Sequence, residues 1–166
     1  MFNNETTNEE AVVKIRFSPQ FFEEIIEFDV ELNSVNWDKN RIGKDVIVNW
    51  KFYDNFDPKG KFYTDSNSLA MVERNVNLHE EYVFEDKYSN ISANYYPVTS
   101  AIAMRDLSSP NATTQVTIMN DRAQGGTADV NHKANIELMQ HRRLSDDDNK
   151  GVDEYLNETD KNGLGI

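Results

Sequence analysis

Apolar and polar residues alternate with a period of two along much of this chain. In I-I-E-F-D-V-E-L, Ile26, Phe28, Val30 and Leu32 fall on one side and Glu27, Asp29 and Glu31 on the other. That is the pattern of a half-buried antiparallel strand. Val46, Val48, Trp50 and Phe52 repeat it after the turn-like N-W-D-K-N-R-I-G-K, leaving Asn49 and Lys51 to solvent. Further strands are expected at residues 61–64, 68–74, 98–106, 114–120 and 135–141. The separators are rich in Asp, Asn, Ser, Gly and Pro, as turn chemistry requires. D-L-S-S-P-N-A-T reads as a hairpin connection whose backbone Pro110 fixes. Almost no segment carries a sustained helical period, so the expected class is all-β, an antiparallel β-sandwich with helix confined to short turns.

Residues 1–10 are polar and acidic and are expected to form a flexible N-terminal segment, and residues 153–166 a flexible tail. The β region then spans residues 11–152. At 166 residues the chain can bury one real core. A net charge of −12 argues against a nucleic-acid partner, because phosphate binding needs clustered Lys and Arg. Such acidity suits an acidic compartment, where carboxylates lose charge, or simply solubility. With no cysteine there is no disulfide framework and no thiolate chemistry. No apolar run approaches the roughly 20 residues of a membrane span, so no membrane partner is expected. The N-terminus resembles no signal sequence, and any targeting signal would lie outside the segment. Asn4, Asn90, Asn111 and Asn157 head N-x-S/T sequons, the glycosylation candidates of a lumenal protein.

The densest information lies in N-D-R-A-Q-G-G at residues 120–126 and E-L-M-Q-H-R-R-L-S-D-D-D-N-K-G-V at residues 137–152. Paired arginines, three consecutive aspartates and a glycine pair are not ordinary strand or core filler. Together with F-Y-T-D-S-N at residues 62–67 and N-Y-Y-P-V at residues 94–98, they resemble the C-terminal β region of the family 38 glycoside hydrolases. These are retaining, zinc-dependent α-mannosidases. The histidine before the arginines and the upstream D-R-x-Q-G-G look closest to the lysosomal-type branch. The resemblance implies a fragment of a galactose-mutarotase-like supersandwich, lysosomal or secreted lumenal, with the rest of an α-mannosidase chain and mannose-containing glycans as partners. It also implies that zinc and the nucleophilic aspartate belong to other parts of such an enzyme. No cofactor is expected in this segment, and the isolated chain is expected to be inactive.

Retaining glycosidases need two carboxyl groups about 5 Å apart. The obvious carboxylates here are Asp146, Asp147 and Asp148, which read as a solvated, mutually repelling surface, less readily as a nucleophile, or, as the resemblance implies, as an element that orders the loop after the arginines. Gly125 and Gly126 read as a tight structural turn after the strand at 114–120. The resemblance implies that one arginine of Arg142 and Arg143 reaches the sugar. Strand alternation puts them on opposite faces, and Arg143 is preferred because it shares the face of His141. The other reading is an internal salt bridge to Asp146–Asp148 or Glu137. His79, His132 and His141 are too scattered for a zinc site, and no metal is assigned. Tyr63, Tyr95, Tyr96, Trp37 and Trp50 are the aromatics that could stack on a sugar, although Trp50 has core spacing. A free-standing carbohydrate-binding sandwich is the alternative function, and a structural interaction module with an exposed apolar face a third.

Overall fold

The structure, a computed structural model, describes residues 11–17, 25–32, 35, 43–53, 55–78, 89–129, 132–144 and 149. The expected flexible ends, and with them Asn4 and Asn157, lie outside the described residues, as do Trp37, His79, Asp146, Asp147 and Asp148. The described residues hold ten strands and one helical turn: β1 (Ala11–Phe17), β2 (Ile26–Leu32), β3 (Lys44–Lys51), β4 (Lys61–Ser66), β5 (Ala70–Asn75), α1 (Ser89–Ser92), β6 (Tyr96–Val98), β7 (Ala101–Arg105), β8 (Gln115–Met119), β9 (Gln124–Ala128) and β10 (Asn135–Arg143). The all-β, antiparallel class expected from the periodicity is the class observed. Two compact units divide the chain, one of residues 1–44 with 142–166 and one of residues 45–141.

In the first unit β1 and β2 form an antiparallel ladder from Ala11↔Leu32 to Phe17↔Ile26. In the second, two four-stranded sheets are ordered β3-β10-β9-β6 and β5-β4-β7-β8. Their facing side chains make the core: Val98, Ala128, Ile136 and Leu138 from the first sheet, Phe62, Ile102 and Met104 from the second. Trp50, Val116 and Ile118 pack against it from flanking strands. This is sandwich packing, with inward residues of both sheets interleaved.

The β4–β5 hairpin shows how local chemistry sets register. Asn67 and Ser68 both have positive φ, and Leu69 N–H donates to Ser66 O at 3.0 Å, a type I′ turn. Asp65 Oδ2 accepts from Ser68 N–H at 2.7 Å. Its other oxygen accepts from Thr99, Ser100 and Ala101 N–H at 2.8, 2.9 and 3.2 Å. Here the single strand expected at residues 98–106 is corrected. It is two strands in different sheets, and the chain crosses between them at 99–100, where backbone donors turn away from the ladder onto Asp65.

A second correction concerns Gly125 and Gly126, which are not a turn: both lie inside β9, between β6 and β10. A Cβ at Gly126 would stand 2.7 Å from Val98 Cγ2 and 2.9 Å from Leu138 Cδ2, so the core demands glycine within a strand. The motif residue Asn94 is buried for a similar structural reason. It exchanges two 2.8 Å hydrogen bonds with Asn77, accepting from its N–H and donating to its side-chain oxygen.

Candidate functional site

The two motifs at residues 120–126 and 137–143 meet along β9 and β10. Asn120 follows β8 and braces the bend at residues 121–122: its N–H donates to Ser100 O at 3.1 Å, and its amide donates to Val98 O at 3.1 Å and to Arg122 O. The β9–β10 pairs run Ile136↔Ala128, Glu137↔Thr127 and Leu138↔Gly126. Beyond them side chains take over from the backbone. Gln124 Nε2 donates to Met139 O and Arg122 Nη2 to Gln140 O, each at 3.0 Å. The Arg and Gln of D-R-A-Q-G-G therefore seat the next two carbonyls of β10.

Alternation along β10 sends Ile136 and Leu138 into the core and Asn135, Glu137 and Met139 to the opposite face. There Glu137 Oε1 accepts from the Asn49 and Asn135 amides, the latter at 3.0 Å, and Oε2 accepts from Tyr95 OH at 2.9 Å. All three donors are neutral, and among the described residues no cation forms an ion pair with this carboxylate. Tyr95 is held far above the ordinary phenol range, first by burial and then by the charge and hydrogen bond of Glu137, so it stays a donor. Beside it runs a shallow groove lined by Tyr95, Tyr96, Pro97, Gln124, Gly125 and Met139. Thr127 Oγ1 and Asn135 Oδ1 are buried without a hydrogen-bond partner. Sequence reasoning considered Glu137 only as a salt-bridge partner for the arginines; its two-residue spacing from Asn135 and Met139 was the available signal.

The two arginines differ in burial, but not in the sense set by Ile136 and Leu138, whose face is the one alternation assigns to Arg142. β10 continues through Arg143; Arg142 is exposed and Arg143 is 5% exposed. The Arg143 guanidinium donates to the Val35 carbonyl.

Residues 3–150 match the glycosyl hydrolases family 38 C-terminal domain. The chain is 38% identical over 123 residues to lysosomal alpha-mannosidase of Felis catus and 37% identical over 123 residues to that of Homo sapiens. It is 36% identical over 118 residues to an alpha-mannosidase of Arabidopsis thaliana. These alignments cover 71–74% of this chain but 11% of each relative. The chain belongs to glycosyl hydrolase family 38.

Zinc, implied by the family resemblance, does not fit the described residues of this family 38 segment: no three His, Asp or Glu side chains among them converge on one point. One histidine does meet a carboxylate, His132 Nδ1 lying 3.4 Å from Asp129 Oδ2. Asp129 is already committed, accepting from Gly60 N–H at 2.8 Å and Ala134 N–H at 3.0 Å. Three of the aromatics that could stack on sugars are also engaged. Arg105 sits 4.9 Å over the Tyr63 ring, Arg74 sits 4.4 Å over the Tyr96 ring, and Trp50 packs on the core. Asn111 is exposed on the β7–β8 connection and Asn90 lies in α1.

Proposed function

We propose that this chain is a non-catalytic β-sandwich part of a retaining α-mannosidase that hydrolyses terminal α-linked mannose of glycoprotein glycans in a lysosomal or secreted lumenal setting. The segment supports the catalytic part, and one arginine of the H-R-R motif reaches the sugar site. Zinc is held by residues elsewhere in that enzyme. The observation that carries this reading is the fastening of D-R-A-Q-G-G onto β10 by Arg122 and Gln124, which makes the two motifs one element ending at the arginines. Exposure reverses the preference drawn from strand faces. Arg143 is buried and donates to Val35 O, whereas Arg142, whose guanidinium is a planar fork of donors, is exposed.

The test compares Arg142→Ala and Arg143→Ala in the full-length enzyme. Arg142→Ala should cost about 1.5–3 kcal/mol of transition-state binding, roughly 10- to 150-fold in kcat/KM, with an unchanged thermal midpoint. Lys at 142 should rescue poorly, since it lacks the fork. Arg143→Ala should lower the thermal midpoint. If both variants keep wild-type kcat/KM, the arginines have no site role. The competing reading, a free-standing carbohydrate-binding sandwich, needs an open aromatic platform, and the cations over Tyr63 and Tyr96 argue against one.

A further inference from the structure

The β1–β2 hairpin has two faces of opposite character. Cross-strand pairs Val13↔Val30, Ile15↔Phe28 and Phe17↔Ile26 share one face. Lys14↔Asp29 and Arg16↔Glu27 share the other. The charged face is ion-paired within itself: Lys14 pairs with Glu31, and Arg16 reaches Asp29 at 3.0 Å and Glu27 at 3.8 Å. The apolar face is not similarly buried. Val13, Ile15, Phe17 and Ile26 are 48%, 52%, 70% and 48% exposed. A two-stranded ladder alone is marginal in water, and a contiguous apolar strip on it marks a contact surface.

We infer that this face is a docking surface for an apolar sheet or helix face supplied by the same polypeptide outside these 166 residues. The chain spans only 11% of its mannosidase relatives, so a longer chain of that kind has ample material to cover it. A second copy is the poorer occupant, because each carries a net charge of −12 and two would repel. A cationic partner finds nothing here, since the hairpin's carboxylates lie on the other face. The inference rests on the proposed membership of a longer α-mannosidase.

The experiment places a photoreactive p-benzoylphenylalanine in the full-length polypeptide at Phe17, with Ile15 as a second site and Lys14 as the charged-face control. Cross-linked peptides are then mapped by mass spectrometry. The expected result is a cross-link from Phe17 and Ile15 to a peptide of the same chain outside residues 1–166. Its yield should be several-fold above that at Lys14 and independent of protein concentration. A yield no greater than at Lys14, a cross-link within residues 1–166, or one between two copies would each overturn the inference. Mannosidase activity of the unsubstituted chain is assayed separately. Its absence with the cross-link present would sink the proposed activity and leave the docking surface standing.

Discussion

Strands β2 and β3 have nearly the same grammar, apolar residues at every second position, and quite different surroundings. In β3, Val46, Val48 and Trp50 are half-buried, and Trp50 packs against the sandwich core, while Asp45, Ile47 and Asn49 are exposed. In β2 only Leu32 is buried, and Ile26 and Phe28 remain 48% and 41% exposed on the side expected to be covered. Periodicity reports which residues share a face, because side chains alternate across a strand. It carries no information about what lies against that face. For β3 that partner is the sandwich, and for β2 it is absent from the described residues.

The comparison is sharpest in two isoleucines. Ile102 on β7 is fully buried in the core, and Ile15 on β1 is 52% exposed. Ile102→Ala removes buried methyl groups and leaves a cavity, and should lower the stability of this chain by about 3–5 kcal/mol. Ile15→Ala, the same chemical deletion, should cost under about 1 kcal/mol in the same chain. Urea unfolding of both variants checks this. Equal losses would mean that the hairpin's apolar face is already covered by the chain's own residues, and the contrast between the two regions would fail.

The next contrast is between two aspartates on strands. Asp29 meets Arg16 in solvent, whereas Asp65 is buried and accepts four backbone N–H groups. Burial pushes the Asp65 carboxyl up, but the donors of Ser100, Ser68, Ala101 and Thr99 outweigh it and hold the group well below the ordinary carboxylate range. Asp65→Asn turns one acceptor into a donor facing an N–H, and should cost about 2–3 kcal/mol. The sign of the pH effect follows from the depressed pKa. The stabilisation is fully present above the unfolded aspartate pKa, about 3.9, and is lost as pH falls below it toward the folded value. A mildly acidic compartment therefore leaves this corner intact. In Asp65→Asn the fall in stability below about pH 4 should be shallower than in the parent chain. Parallel slopes would show that the carboxylate is not what joins the β4–β5 turn to the sheet crossing.

These residues also show what was legible beforehand. The bounds of β2, the inward face of β3 and the β7–β8 hairpin followed from alternation and turn chemistry, which act locally. The motif F-Y-T-D-S-N was recognisable as a string, but the role of its aspartate was not. Three of its four donors lie more than thirty residues away. Strand β9 was missed because glycine normally signals a turn. The demand for it comes from Val98 and Leu138, on strands whose pairing is a tertiary fact. Glu137 was overlooked as a centre for the same reason, since Asn49 and Tyr95 come from other parts of the chain. At the arginines the sequence predicted opposite faces correctly, but the burial of Arg143 depends on an element that alternation cannot name.

The glycine pair gives a smaller and cleaner contrast within one strand. Gly126→Ala forces a methyl into contacts of 2.7 and 2.9 Å with side chains of the close-packed core, and should cost about 1.5–2 kcal/mol. At Gly125 the nearest atoms are Tyr95 Cδ1 at 3.6 Å and Met139 Cβ at 3.9 Å, ordinary contacts over the groove. Gly125→Ala should stay within about 0.5 kcal/mol of the parent. Thermal or urea denaturation of the two single variants decides it. If both were equally costly, backbone conformation and not the core would explain the pair.

The smallest expected effect tests what holds the hairpin. Its charged face has three ion pairs, and their side chains are between 37% and 60% exposed. At that exposure the Coulomb gain is screened by water and salt and is opposed by the entropy of fixing long side chains. Lys14→Gln and Arg16→Gln should each change stability by under about 0.5 kcal/mol, with the difference shrinking further at high salt. The comparison is made in this chain and again in the longer polypeptide. A docked apolar face should make the hairpin still less dependent on its ion pairs there. A loss above about 1 kcal/mol for either variant in the longer polypeptide would mean that the charged face, not the apolar one, secures the hairpin. The physical case for a covered Val13–Ile15–Phe17 strip would then be gone.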